Sequence, residues 1–349
     1  MIKKIATVLS LILTISISSS SVIYAEVANK ELLEGSMAEI SRDLNKRVFK
    51  SSKEAILINE KSIVDSISAT PLAYAKDAPI LVTKSERIGR VTRNYIKELG
   101  VEKITIVGGL DAVSKDIERS LEKMDIKVNR IRGKDRYDTS LKIAREIYRT
   151  TGFDKAFLMS SNAGLENAVS IYSYAARNSM PIIWAQDENF SYQLDFLKRK
   201  KLDKVYTIGD SEKFISDVEN TLDNYERIKE INKSDTNIDL INKFYDRDET
   251  KKIYTANVEF GKRSDSNEYI SLGVVSAKED IPIMVCNDKL TYRQEKFIKN
   301  NNIDDITEVG FEIGEYSFVN ALLTKTFISS LMLIILLVII TFRAFRYQV

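Results

Sequence analysis

The chain has 349 residues, 44% of them hydrophobic and 29% charged, enough for two or three domains with buried cores. Its 52 Lys and Arg nearly cancel its 50 Asp and Glu, and a net charge of +2 gives no global pull toward nucleic acid, so no nucleic-acid partner is expected. It has no histidine and one cysteine, Cys286, which removes the commonest general base and zinc ligand, any intramolecular disulfide and any cysteine metal cluster; no cofactor or metal is expected.

At the start, Lys3 and Lys4 precede an apolar run from Ile5 to about Ile17, then a serine stretch and Ala25. This is the layout of a secretory signal peptide, expected over 1–25. The segment SMAEISRDLNKRVF (36–49) carries a helical pattern. EAILINE (54–60) reads as a strand, IVDSISATPLAYA (63–75) as a helix rich in small residues, and the run after Pro79 as a buried strand. SERIGRVTRNYIKELG (85–100) is amphipathic, and VEKITIVGG (101–109) is a further strand that runs into a helical pattern. Strand, glycine turn and helix are also how phosphate-binding loops begin.

The same order then recurs. KAFLMSS (155–161), LENAVSIYSYAA (165–176), the run after Pro181, NFSYQLDFLKRKK (189–201) and LDKVYTIGD (202–210) make a second copy. KKIYTANVEF (251–260), NEYISLGVVSA (267–277), the run after Pro282, LTYRQEKFIKNNN (290–302) and IDDITEVGF (303–311) make a third, with GKRSDS (261–266) lengthening its first loop. Pro79, Pro181 and Pro282 are 102 and 101 residues apart, and Gly108, Gly209 and Gly310 are each 101 apart. Two unrelated markers in step define a repeat. Each unit alternates strand and helix three times, which implies parallel sheets covered by helices, with right-handed crossovers. Only one glycine recurs: Gly209 is followed by Asp210 and Gly310 by Phe311. The stretch VGGLDAVSK also lacks the later glycine of a dinucleotide fingerprint and the Gly-Lys-Ser/Thr of a P-loop. Gly108, Gly209 and Gly310 are therefore expected to be structural turns.

The segment between the first two units, NRIRGKDRYDTSLKIAREIY (129–148), holds Arg130, Arg132, Lys134 and Arg136 within seven residues. Gly133 breaks the strand, and Asp138 or Thr139 is placed to cap a helix through Leu141, Ile143, Ala144 and Ile147. Arginine forks hold phosphate and carboxylate bidentately, and Tyr137 offers an apolar face to a sugar ring and a hydroxyl to bond it. One reading is a site for an anionic saccharide. The other is that these arginines pair with Asp135, Asp138 or Glu146 and pin one unit to the next. NKSDTNIDLINKFY (232–245) keeps only Asp235-Thr236 of the signature.

At the far end no charge occurs from Thr326 to Phe342, and Arg343 and Arg346 follow. A membrane-spanning helix is expected over 325–342, with a cytoplasmic tail at 343–349 and the body outside the membrane. An exported chain without a disulfide fits a bacterium with a single membrane.

DSISATPLAYAKDAPILVTKS, LGVEKITIVGGLDAVS and RIRGKDRYDTSLKIA together closely resemble the cell wall-binding repeat type 2 of Gram-positive bacteria, chiefly clostridia. The match is strong over 54–145, weaker over 146–230 and carried by spacing over 231–322. The resemblance implies three tandem Toprim-like or Rossmann-like α/β units in a pseudo-threefold arrangement, binding anionic wall polymer non-covalently and anchoring surface proteins. The expected domains are a signal peptide (1–25), repeat 1 with a leading helix (26–132), repeat 2 (133–230), a degenerate repeat 3 (231–324), the membrane helix (325–342) and the tail (343–349). The expected function is a non-catalytic, membrane-tethered wall-binding protein at the cell surface, in contact with anionic wall polysaccharide and, through its last helix, with the bilayer. Arg132, Arg136 and Tyr137, with Lys134, are the residues expected to contact polymer. The alternative is an assembly scaffold that uses the repeats to bind a membrane or surface protein. An enzyme is not expected, because Asp65, Asp111 and Glu166 form no repeated pair at catalytic spacing. Cys286 reads as a buried strand residue and Trp184 as core.

Overall fold

The three proline-led runs become the outer strands of three separate sheets. The computed structural model describes residues 29–229, 233–246, 249–258, 268–287 and 289–314. Strand β1 (Asn29–Leu33) and helix α1 (Met37–Val48) lead a first series: β2 (Glu54–Asn59), α2 (Ile63–Ala75), β3 (Ile80–Thr83), α3 (Arg90–Leu99), β4 (Lys103–Val107), α4 (Lys115–Glu122) and β5 (Lys127–Ile131). Helix α5 (Arg136–Thr150) leads a second: β6 (Lys155–Ser160), α6 (Gly164–Arg177), β7 (Ile182–Ala185), α7 (Ser191–Lys200), β8 (Lys204–Ile208), α8 (Glu212–Glu219) and β9 (Tyr225–Ile228). Helix α9 (Lys233–Phe244) leads the third: β10 (Lys252–Ala256), a 3-10 turn (Glu268–Ile270), α10 (Leu272–Glu279), β11 (Ile283–Val285), α11 (Tyr292–Asn300) and β12 (Asp305–Val309).

Each sheet is parallel and has the same order, β3-β2-β4-β5, β7-β6-β8-β9 and β11-β10-β12-β1. The sheets hold four strands where the pattern of the units suggested three. The third sheet takes its fourth strand from the start of the chain, with Asn29 paired to Asp305 and Leu33 to Val309. Lys30 reaches the Glu308 carboxylate at 3.2 Å and reinforces that pairing. In every unit the fourth strand is followed by the leading helix of the next unit, so β1 and α1 make the connectivity cyclic. These residues lie in one unit, Val27–Ile313.

The central strands β2, β6 and β10 are buried along almost their whole length, as parallel strands covered on both faces must be. Each proline stands one residue before its outer strand, where its missing N–H leaves no gap in the ladder. Its carbonyl is used: Pro79, Pro181 and Pro282 accept from the N–H of Ile56, Phe157 and Tyr254 at 2.9, 2.9 and 3.1 Å. The small-residue helices α2, α6 and α10 pack on one another. At Gly273 a side chain would strike the Tyr172 ring and lie 2.8 Å from the Thr70 methyl, so only glycine lets the three helices approach. Ser173 and Ser276 hydrogen-bond there at 2.7 Å, and the Tyr172 hydroxyl donates to the Tyr269 carbonyl at 3.0 Å.

The leading helices dock on the outer strands in one way. Their fifth residue is Ser41 in α1, Ser140 in α5 and Asn237 in α9. Ser41 donates to the Ile80 carbonyl at 3.2 Å, and Ser140 accepts from the Trp184 N–H at 3.1 Å. Asn237 donates to the Ile283 carbonyl and accepts from the Val285 N–H, both at 3.0 Å. A free sheet edge thus has backbone groups satisfied by a side chain at the same helix position in every unit, with Asn45 and Ser271 also reaching the Ile80 carbonyl, each at 2.8 Å.

The expectation of a membrane-spanning helix is corrected. No helix among the described residues is long and apolar enough to cross a membrane. The longest of them, α5, has 15 residues and a polar face, and reaches roughly 22 Å against a hydrocarbon core of about 30 Å. Segment 325–342 lies outside the described residues, as do 1–25, 343–349 and the GKRSDS insertion. The expectations of membrane tethering, bilayer contact and single-pass topology fall with that helix.

Candidate functional site

The carbonyls of the Gly108 turn are taken by Arg130. This residue lies on β5, beside β4, and is largely buried; it donates to the carbonyls of Gly108, Gly109 and Val113 at 2.8, 3.1 and 2.8 Å and pairs with Glu118 at 2.6 Å. The turn therefore presents carbonyls to a cation, and the Gly108 N–H is already given to the Ile131 carbonyl at 3.0 Å. A phosphate cradle needs free N–H groups at that point. Gly108 has φ +117°, and a side chain there would lie 3.3 Å from both Ala112 Cβ and the Asp65 carboxylate. Gly310 has φ +77°, and its N–H donates to Leu33 on β1 at 2.9 Å, the same bond made in the cyclically related unit. At Gly209 the constraint is space, since a side chain would come within 2.6 Å of Ser160 Cβ.

Just beyond Arg130 the chain forms a locked loop at the head of α5. Asp135 caps the helix by accepting from the Asp138 N–H at 2.8 Å, and Asp138 accepts in return from the Lys134 N–H at 3.0 Å. Thr139 accepts from the Gly133 N–H at 2.9 Å and donates to the Asp135 carbonyl at 2.8 Å. Gly133 is obligatory, because a side chain there would lie 2.6 Å from the Asp138 carbonyl carbon. Lys142 closes the loop, reaching the Arg132 carbonyl at 2.9 Å and the Asp138 carboxylate at 3.1 Å. Burial raises the Asp138 carboxyl, but the Lys134 N–H and Lys142 outweigh it and hold the group below its ordinary range.

Four cations that look alike in sequence thus have two fates. Arg130 is consumed inside the fold. Arg132, Lys134 and Arg136 are exposed, and none of them makes an ion pair with a carboxylate of the described residues. Their pairing with Asp135, Asp138 or Glu146 does not occur: Asp135 and Asp138 serve the cap, and Glu146 pairs with Lys76 at 3.3 Å and Arg149 at 3.4 Å. Tyr137 is half-buried, its ring against the core. Arg136 acts at longer range on Asp65, a carboxyl that burial pushes up to about 6 against the pull of that guanidinium. Asp65 and Arg136 are 71 residues apart, and no spacing in the chain announces their proximity.

In the second unit the position 101 residues after Asp65 is Glu166, which is buried. Ser160, at the end of β6, bonds Asp187, which also accepts from Asn162 at 3.0 Å. Trp184 is 3% exposed and is no sugar platform. Cys286 is buried, and burial pushes its thiol far above the ordinary range, so it is no nucleophile. No group of His, Cys, Asp and Glu among the described residues is arranged to hold a metal.

A family model described as cell wall binding domain 2 (CWB2) matches residues 25–118 and 130–219. These ranges contain most of the first two sheets; the third, with the same strand order, lies largely outside them. The chain is 25% identical over 269 residues to the N-acetylmuramoyl-L-alanine amidase LytC of Bacillus subtilis strain 168, covering 76% of this chain and 52% of that protein. Among solved structures it is similar to Cwp6 from Clostridium difficile, at a TM-score of 0.72 and 27% identity, over 82% of this chain and 46% of that one. It is also similar to Cwp8 from Clostridium difficile, at a TM-score of 0.73 and 28% identity, over 85% and 51%. The chain therefore spans about half the length of these relatives.

Proposed function

The chain belongs to the cell wall binding domain 2 family, and from that premise we propose that it is a cell-surface module that grips anionic wall polymer non-covalently through Arg132, Lys134 and Arg136, with Tyr137 beneath them. The family is one of non-catalytic wall-binding modules, in keeping with the absence of an enzyme signature in the sequence. The observation that carries the site is the contrast within one short segment. The carboxylates of Asp135 and Asp138, the nearest in sequence to the three exposed cations, are already engaged in holding the loop, and Asp65 acts on Arg136 only at longer range. Guanidinium groups held on a rigid loop lose little freedom when they fork onto a phosphate or carboxylate. Exposed charges of this kind are screened by salt, so binding should weaken as ionic strength rises.

Co-sedimentation of the full chain with purified walls tests this. Intact walls should retain it, and walls stripped of anionic polymer should not. Arg132→Ala with Arg136→Ala should weaken retention roughly tenfold while leaving the melting temperature unchanged. Equal retention by intact and stripped walls would sink the proposal.

A further inference from the structure

The far end of α5 carries a second cluster of cations. Arg145, Tyr148 and Arg149 on α5 face Phe196, Arg199 and Lys200 on α7 across a groove of about 350 Å³. That is at the small end of ligand-site volumes. Four of its six lining residues are cations, and no carboxylate lines it. The aromatic rings hold two of the four cations in place: Lys200 Nζ lies 3.2 Å from the centre of the Tyr148 ring and 5.5 Å from that of Phe196, and Arg145 lies 5.8 Å from Phe196. Tyr148 is itself fixed edge-on against Phe153 at 5.4 Å. A ring orders a cation without neutralising it, whereas a carboxylate does both.

Cations near the last turns of two helices have a simpler explanation, since each helix end carries about half a negative charge. The magnitudes decide between them. Two helix ends offset about one positive charge, and Glu146, which Arg149 shares with Lys76, and Asp138, which Arg145 shares with Lys142, together offset at most about one more. About two positive charges remain, held in a concave site with an exposed tyrosine at its edge.

We propose that this groove is a second anion site, which takes a phosphate group carried on a sugar or polyol. It rests on the wall-polymer reading for the source of the ligand. Along α5, Arg136 and Tyr148 are roughly 18 Å apart at 1.5 Å per residue. One polymer with repeating phosphates therefore spans both ends of the helix, and the groove adds grip to the Arg132–Arg136 loop through effective concentration.

The test uses the full chain and a poly(glycerol phosphate) oligomer, with inorganic phosphate and uncharged dextran as separate arms. Lys200 acetylation, read by mass spectrometry, reports on the groove directly. Protection of Lys200 by the oligomer is expected, with inorganic phosphate protecting only at much higher concentration and dextran not at all. Arg199→Gln with Lys200→Gln keeps a polar, unbranched side chain at each position and removes two of the four positive charges, and should weaken oligomer binding roughly tenfold. Unchanged oligomer affinity in that variant, or Lys200 equally protected by dextran, would overturn the groove and leave wall binding by the loop intact. Protection of Lys200 in a chain that fails to sediment with intact walls would overturn the wall-polymer reading and leave the groove standing.

Discussion

Helices α5 and α9 occupy equivalent places, each leading a unit, and they differ in their first two residues. Both keep Asp-Thr followed by a residue that docks on an outer strand: Asp138, Thr139 and Ser140 in one, Asp235, Thr236 and Asn237 in the other. Ahead of that common part, α5 has Arg136-Tyr137 after a rigid loop of cations, and α9 has Lys233-Ser234. The shared residues serve the fold, and the differing ones are those of the proposed polymer contact. A reader of the sequence sees one signature that fades from the second copy, whereas the structure shows two superposed signatures of which only the outer one fades.

Substitutions that separate the two should rank by how much buried hydrogen bonding they strand. Asn237→Ala should cost the most, about 3 kcal/mol in urea unfolding, because it leaves the Ile283 carbonyl and the Val285 N–H unpaired and also loses Ser170 at 2.9 Å. Arg130→Ala should cost about 2 kcal/mol, since three carbonyls and Glu118 lose their partner. If Arg130→Ala instead left stability intact and abolished wall retention, the division between inner and outer arginines would fail. Ser140→Ala, which strands the Trp184 N–H and gives up one bond to the Tyr137 carbonyl, should cost about 1 kcal/mol, a smaller loss than at the equivalent Asn237.

The smallest effect is a pH dependence. Burial raises the Asp65 carboxyl from 3.8 to about 6, so the folded chain holds this proton more tightly than the unfolded chain does. The resulting stabilisation is complete below about pH 3.8 and is lost as pH rises through about 6. Asp65→Asn should therefore melt higher than the natural chain at pH 8 and show no such gain at pH 3.5. A gain of equal size at both pH values would show that Asp65 does not titrate in this window.

The repeat, its period and most of its strands were readable because buried parallel strands demand continuous apolar runs and their entrances tolerate proline. The fourth strands were not, because β5 (KVNRI) and β9 (YERI) lie at sheet margins where half the side chains face water, so no apolar run marks them. Strand β1 carried still less signal, as NKELL is mostly exposed and its partner lies more than 270 residues away. At the site, the exposed loop was expected from its charges, but the groove was missed. The cations of α7 looked like an ordinary helix end until α5 was placed across from them.

By itself the sequence determined the local periodicities, the threefold repetition and the family, since each depends only on what residues a few positions apart must do. The tertiary structure alone decided that the last sheet is completed by the first strand, that Arg130 turns inward while Arg132 and Arg136 face out, and that Asp65 lies under the influence of Arg136. Those outcomes depend on which backbone groups and charges are brought together across 12 to 276 residues of chain. Burial then sets the consequences, because a cation among buried carbonyls becomes part of the fold, and one left in solvent without a partner remains available to a ligand.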